Sequence, residues 1–112
     1  MYKRCGIYQV ELVRDGGEAT DACPCLVVSN NISNEFSPVV TVIPLSFSNL
    51  ERIYDFETLL PRTKTGLTHD AKISSHLLFT IDKNKVVSDR LGFVSKGLMK
   101  QVDRALRFQL SL

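Results

Sequence analysis

The chain has 112 residues, 44% of them hydrophobic and 23% charged, which is the composition of an ordinary folded domain rather than a disordered one. This length allows one hydrophobic core, so we expect a single domain over residues 1–112. A net charge of +2 permits binding to nucleic acid or to an acidic peptide and requires neither.

Cysteine usage and the N-terminus indicate the compartment. The chain has three cysteines, an odd number, and its first residues lack the long apolar stretch of a secretory signal. No segment is long enough to span a membrane. We therefore expect reduced thiols in the cytoplasm. Cys23 and Cys25 lack two further ligands at a similar spacing, so we expect no metal and no cofactor.

The first half of the chain predicts three strands. Gly6–Val13 alternates apolar and polar residues and is followed by a loop that runs to about Ala22. Cys25–Ser29 and Val39–Leu45 are continuous apolar runs, which are typical of buried strands. The polar stretch Asn30–Pro38 is predicted as the loop that connects them.

The second half predicts a short helical turn at Asn49–Arg52 and an exposed loop at Pro61–Thr68. It also predicts three strands, which are Tyr54–Leu60, Lys72–Ile81 and Val86–Val94.

The last segment predicts one amphipathic helix. Ser95 stands at the N-cap position. One face follows at three-to-four spacing: Leu98, Val102, Ala105, Leu106 and Gln109 or Leu110. A strand-rich chain of this size that ends in one helix favours a small barrel or a strongly curved sheet.

Several segments, in one order along the chain, resemble the MazF/PemK family of toxin ribonucleases. Cys23–Pro38 is similar to a family segment that begins Arg-Pro-Val and continues Val-Val-Ser-Asn, with Cys23 in place of the arginine. Arg4–Leu12 resembles the family's opening strand, Thr80–Lys83 its Thr-Ile-Asp-Lys turn, and Met99–Leu112 its last helix.

The resemblance implies a fold, an activity and partners. The fold is mainly β with a C-terminal α-helix, an SH3-like small barrel of the MazF/CcdB type. The activity is that of an mRNA interferase, the toxin of a type II toxin-antitoxin system, which cleaves single-stranded mRNA at specific sequences without a metal. The partners are a second copy of the chain, in a homodimer, and a cognate antitoxin whose acidic C-terminal tail lies across the active groove.

Such cleavage requires a base for the 2′-hydroxyl proton, a stabiliser for the charged transition state and an acid for the leaving 5′-oxygen. In the family an arginine and a following Thr or Ser do most of this work. Ser46 matches the hydroxyl, whereas Cys23 stands where the arginine is expected and cannot present a fixed fork of donors to phosphate. Either Arg14, Arg52 or Arg62 supplies the charge, or the site is weak.

A second departure from the family lies before the Thr-Ile-Asp turn. His76, Leu77 and Phe79 stand where one branch of the family has Glu, Gln and Arg; Ser74 and His76 stand where another has Arg and Asp. We place His76 on a strand, where it either transfers protons near neutral pH or only makes a hydrogen bond at the strand edge.

RNA contacts are expected from Asn30, in a loop whose amides suit hydrogen bonds to bases, and from Arg52 and Arg62. The candidate rings for base stacking are Phe47, Tyr54 and Phe56, although alternation along a strand is more typical of a core position for Phe56. His69 is interpreted as a surface residue.

A different class of function stays open: a catalytically weak or inactive protein of this fold that acts by binding, either to an antitoxin or to a gyrase-type target, as the related CcdB toxins do. CcdB-like proteins usually carry a Trp near the C-terminus, and this chain has no Trp.

Overall fold

The structure, a computed structural model, describes residues 2–12 and 22–112. Within this part of the chain, seven strands form an antiparallel sheet: β1 (Gly6–Val10), β2 (Cys23–Val27), β3 (Val39–Ser46), β4 (Glu57–Leu60), β5 (Ala71–Ser74), β6 (Phe79–Asp82) and β7 (Gly92–Phe93). The helices are α1 (Asn31–Phe36) and α2 (Lys96–Leu110), and short 3-10 turns lie at Arg62–Lys64 and Lys83–Lys85. The strand order is β4-β5-β3-β2-β1-β7, and β6 also pairs with β3. The predicted mainly β fold with a C-terminal helix is therefore confirmed.

Buried apolar side chains form two clusters, because neighbouring residues of a strand point to opposite faces of the sheet. The first cluster joins the sheet to α2 and includes Ile7, Leu26, Ile43, Ile73 and Val102. The second cluster includes Tyr8, Val10, Cys25, Val27 and Val40. Since both faces of β2 and β3 are covered, these strands have continuous apolar sequences, as predicted.

The connection between β2 and β3 was predicted as a loop, and this is wrong for most of its length, because it contains α1. The Asn30 side chain accepts a hydrogen bond from the Ser33 N–H at 2.8 Å and thereby caps the helix. Asn34 is fully buried, and its Nδ2 donates to the Ser29 carbonyl at 2.8 Å. Polar residues typical of a loop thus serve as a helix cap and as a buried polar anchor.

The prediction of one strand over Lys72–Ile81 is also wrong, because β5 and β6 are separate strands. Leu45 of β3 pairs with Ile73, whereas Val42, three residues earlier, pairs with Phe79, six residues later. Residues 75–78 bulge out of the sheet between the two strands. His76 lies in this bulge and not on a strand.

Three further boundaries differ from the predictions. Most of Val86–Val94 runs beside β1 without regular pairing, and only Gly92–Phe93 forms a strand. The strand predicted from Tyr54 begins at Glu57. Asn49–Arg52 forms a turn without helical structure, and Asn49 has a φ of 55°, in the left-handed region.

Helix α2 is confirmed. Ser95 is its N-cap and accepts a hydrogen bond from the Leu98 N–H. The residues that face the core are Leu98, Met99, Val102 and Ala105. Leu110, which was predicted on this face, is 50% exposed. In the part of the chain that the structure describes, neither helix is long and apolar enough to cross a membrane.

Candidate active site

Three neighbouring strands place Cys23, Ser46 and Lys72 in one row. The pairing of β2 with β3 ends at Cys25 opposite Pro44, and continuing this register brings Cys23 level with Ser46. On the other side of β3, Ser46 pairs directly with Lys72 of β5. Side chains of directly paired residues lie on the same face of a sheet. The positions that match the family's arginine and hydroxyl therefore lie at adjoining ends of two paired strands.

The Ser46 hydroxyl is half-buried at the end of β3. Its Oγ lies 3.5 Å from both the main-chain nitrogen and the Oγ of Ser48. Bonds of this length are weak. The hydroxyl can therefore exchange them for a hydrogen bond to a ligand.

Cys23 is half-buried beside a second thiol. Its Sγ lies 3.7 Å from the Sγ of the fully buried Cys25, and both are free cysteines. Burial raises the pKa of the Cys25 thiol, and neighbouring Cys23 raises it further. Cys25 therefore stays neutral at physiological pH, and neither sulfur supplies the positive charge of the family's arginine.

Lys72 is the cation nearest to Ser46 in the sheet, and the sequence analysis missed it. Its ammonium is buried and donates to the carbonyls of Asn49 at 3.0 Å and Arg52 at 3.3 Å, and to Glu57 Oε1 at 3.3 Å. These three bonds occupy the donors of the ammonium, so Lys72 fixes the loop after β3 instead of facing a substrate. A lysine two residues before Ser74 within the predicted strand was the available signal.

Glu57 completes this buried ion pair. Desolvation raises the pKa of its carboxyl, but hydrogen bonds from the Ser74 hydroxyl, the Tyr54 N–H and Lys72, with the charge of Lys72, outweigh it. The net effect is a lowered pKa. The carboxylate therefore stays charged and holds the loop at neutral pH.

A pocket of about 290 Å³ lies beside the row, with walls that include Gln9, Pro24, Phe47, Thr68 and His69. Pro24 follows Cys23 in the chain, and Phe47 follows Ser46. Because side chains alternate along a strand, Pro24 points to the face opposite Cys23. The pocket and the row therefore open on opposite sides of the same sheet edge.

His69 is exposed, as expected, but it lines this pocket. Its Nδ1 lies 2.9 Å from the Thr68 hydroxyl, and its ring meets the Phe47 ring edge-on at 6.5 Å between centroids. His76 lies in other surroundings, where its ring packs edge-on against Phe56 at 4.9 Å. The structure thus groups His69 with the neighbour of Ser46, and His76 with the rings near Arg52.

The other predicted residues are spread over the surface. Asn30 is exposed and uses its side-chain oxygen as the cap of α1. Arg62 is exposed at the start of a 3-10 turn, where its N–H donates to Asp70 Oδ1 at 2.8 Å. Arg14 lies outside the described residues. Among the residues that are described, no three His, Cys, Asp or Glu side chains are grouped closely enough to hold a metal ion.

Comparison with known proteins decides the family. Residues 3–110 match the family described as PemK-like, MazF-like toxin of type II toxin-antitoxin system. The chain belongs to this family. The toxin is 35% identical to "Endoribonuclease MazF9" of Mycobacterium tuberculosis, over all of this chain and 98% of that protein. It is 28% identical to "Endoribonuclease EndoA" of Bacillus subtilis, over 87% of this chain and 83% of that protein.

The fold of the toxin also matches solved structures. A mycobacterial endoribonuclease solved in complex with its cognate antitoxin aligns with a TM-score of 0.79 at 24% identity, over all of this chain and 97% of that one. The resemblance to the MazF/PemK family is therefore confirmed in both sequence and fold.

Proposed function

We propose that this toxin is an endoribonuclease that cleaves single-stranded mRNA at specific sequences without a metal. The observation that carries the proposal is the Ser46 hydroxyl, which matches the family's hydroxyl, stands half-buried at the end of β3 and is held only by contacts of 3.5 Å. Two relatives that are named endoribonucleases support it. We place the reaction in the cytoplasm, where mRNA is translated.

The reaction is an attack of the RNA 2′-oxygen on the adjacent phosphorus. The P–O2′ bond forms, the P–O5′ bond breaks, and the products are a 2′,3′-cyclic phosphate and a 5′-hydroxyl. Ser46 Oγ donates a hydrogen bond to a phosphate oxygen of the transition state. We assign the positive charge that stabilises the transition state to Arg14 or Arg62, and the proton transfers to His76.

The test is incubation of the toxin with a long mixed-sequence RNA in EDTA. We expect cleavage by the parent and a loss of about a hundredfold in Ser46→Ala, whereas Ser48→Ala, which removes the neighbouring hydroxyl, retains the activity. His76→Gln is expected to lose cleavage, and His69→Gln is its matched control, because His69 lines the pocket on the opposite side of the sheet edge. Cleavage that is equal in Ser46→Ala and in the parent would contradict the assignment of Ser46.

A binding function is the second candidate, and Cys23 is the observation that favours it, because a thiol cannot replace a guanidinium at a phosphate. In that case the toxin would bind an antitoxin without cutting RNA. A parent that is inactive, together with a Cys23→Arg variant that cleaves RNA, would establish this alternative.

We further propose that the toxin is a homodimer and that it binds the acidic C-terminal tail of a cognate antitoxin. An apolar groove of about 420 Å³ runs beside α2, with walls that include Val28, Leu78, Leu106 and Leu110. Leu112 at its end is 83% exposed. An uncovered apolar surface of this kind is typical of a subunit contact. A monomeric mass by light scattering at micromolar concentration would contradict the dimer.

A further inference from the structure

Four side chains form a continuous stack on the surface, which we call the ladder: Arg52, Tyr54, Phe56 and His76. The guanidinium carbon of Arg52 lies 4.9 Å from the centroid of the Tyr54 ring. The rings of Tyr54 and Phe56 are parallel within 3°, with centroids 5.4 Å apart. The His76 ring meets Phe56 at 87°. Each of these arrangements is a favourable aromatic or cation–π geometry.

The ladder does not fill the core. Tyr54 is 46% exposed, Phe56 is half-buried, and Arg52 and His76 are exposed. Neither apolar cluster of the described residues includes a ring of the ladder. Packing of the interior therefore does not explain why these rings are aligned.

The buried ion pair holds the ladder in place. The Tyr54 N–H donates to Glu57 Oε1 at 3.1 Å, and the Glu57 N–H donates to the Tyr54 carbonyl at 2.8 Å. The Lys72 ammonium binds the Arg52 carbonyl at 3.3 Å. Lys72 is paired with Ser46 in the sheet, so strand β5 connects the ladder to the Ser46 hydroxyl. A surface fixed in this way loses little entropy on binding.

The charges around the ladder indicate what it binds. Glu51 and Asp55 are exposed beside Arg52 and Tyr54, so this segment does not present a net positive charge to phosphates. What it offers is a flat aromatic and guanidinium surface. Aromatic rings and arginine planes are the surfaces on which the unpaired bases of single-stranded RNA stack.

We propose that the ladder binds one unpaired nucleobase of the RNA, stacked at its Arg52–Tyr54 end and outside the cleavage position at Ser46. This proposal rests on the proposed function, because the base belongs to the RNA strand that the toxin cleaves. The ladder thereby fixes where the strand continues after it leaves the reacting hydroxyl.

The test measures binding of a short labelled single-stranded RNA whose 2′-hydroxyls are methylated, so that it cannot be cleaved. We expect Tyr54→Ala to weaken binding about tenfold and Tyr54→Phe, which keeps the ring, to leave it unchanged. Arg52→Lys, which keeps the charge and loses the plane, also weakens binding. The salt dependence of binding stays the same in Tyr54→Ala, because no phosphate contact is lost.

An abasic nucleotide, moved along the same RNA, separates stacking from other effects. We expect one position at which the missing base weakens RNA binding to the parent by the same factor as Tyr54→Ala does. The same abasic RNA should bind the Tyr54→Ala variant as tightly as the complete RNA does. The matched control is Phe93→Ala, because Phe93 is 51% exposed and lies 5.3 Å from the Arg90 guanidinium, with no parallel ring among the described residues.

Three results would overturn the proposal. The first is equal RNA binding by Tyr54→Ala and the parent, and the second is an equal loss of RNA binding in Phe93→Ala. The third is a Tyr54→Ala variant that loses binding to an acidic peptide, measured in the same way, but keeps its binding to RNA. Failure of the two proposals is distinguishable. A parent that cleaves RNA but binds it independently of Tyr54 contradicts only the ladder. A parent that binds through Tyr54 but does not cleave the unmethylated strand contradicts only the ribonuclease.

Discussion

Cys23 begins β2, which pairs with the strand that ends at Ser46, and is half-buried against the second apolar cluster. A thiol at this position provides neither a permanent charge nor a bidentate donor, and a guanidinium provides both. The catalytic strength of the toxin therefore depends on whether another arginine reaches the phosphate.

We expect Cys23→Arg to cleave RNA on the order of a hundredfold faster than the parent, because it restores a preorganised donor to the charged transition state. The measurement is the single-turnover rate on one RNA. Cys23→Lys is the control, because lysine adds the positive charge without the paired donors of a guanidinium and should raise the cleavage rate less. A rate in Cys23→Arg no higher than in the parent would show that another group already supplies this charge.

Individual site residues were predictable only where the family pattern covers them. Ser46 and Cys23 were identified from the resemblance, and the structure places them at adjoining ends of the paired strands β2 and β3. The position of His69 depends on how the loop after Gly66 folds beside Phe47, which is a long-range contact that no local pattern encodes. The same holds for the contact of His76 with Phe56.

At the scale of elements, the buried pair of Glu57 and Lys72 joins β4, β5 and the loop after β3. The pKa of Glu57 is lowered from its ordinary value of 4.5. A lowered pKa means that the carboxylate stabilises the fold above about pH 4.5 and that this stabilisation is lost as the pH falls through the folded-state pKa.

We expect Glu57→Gln to lower the free energy of unfolding by about 3 kcal/mol at pH 7, because it leaves a buried ammonium unpaired. The variant should also lose stability less steeply than the parent below about pH 4.5. Urea unfolding over a pH series measures both. Glu51→Gln removes an exposed carboxylate of the same loop and should change neither; the pairing is refuted if the two variants behave alike.

Strand β7 depends on a close approach of two main-chain segments. A Cβ on Gly92 would lie 2.3 Å from the Thr65 carbonyl oxygen, which accepts a hydrogen bond from the Phe93 N–H at 3.1 Å. Thr65 begins the loop whose residues Thr68 and His69 line the pocket. Gly92 thus fixes one wall of that pocket.

Gly92→Ala is expected to destabilise the toxin by about 2 kcal/mol, since the clash is with main-chain atoms that cannot rotate away. Gly97→Ala is the matched control, because a Cβ there meets nothing within 4 Å and alanine favours the helix by up to about 1 kcal/mol. Chemical denaturation compares the two. Equal stabilities of both variants would disprove the close approach.

The elements themselves were predictable to different degrees. Strands β2 and β3 and helix α2 carry long, regular apolar patterns, and these were predicted with small errors at their ends. The division of Lys72–Ile81 into two strands was not, because apolar residues continue through the bulge and the shift in register depends on β3. Helix α1 was missed because its six residues are too few to show a helical period.

At the scale of the whole molecule, the chain combines the fold of its family with a changed set of charges at the site. The chain aligns over its full length with a mycobacterial relative and over 87% of its length with a Bacillus subtilis one, and it departs from the family at the arginine position. A shared fold places the reacting positions but does not supply a missing charge. The rate of RNA cleavage by the toxin therefore depends on which other cation replaces that charge.

The most direct measurement is analysis of the fragment ends produced by the parent toxin in EDTA from an RNA and from the same RNA with a 2′-deoxynucleotide at the cleavage position. We expect fragments with 5′-hydroxyl ends from the first RNA and no cut at the 2′-deoxy position of the second, because the 2′-oxygen is the nucleophile. Fragments with 5′-phosphate ends, cleavage at the 2′-deoxy position, or no cleavage of either RNA would contradict the account.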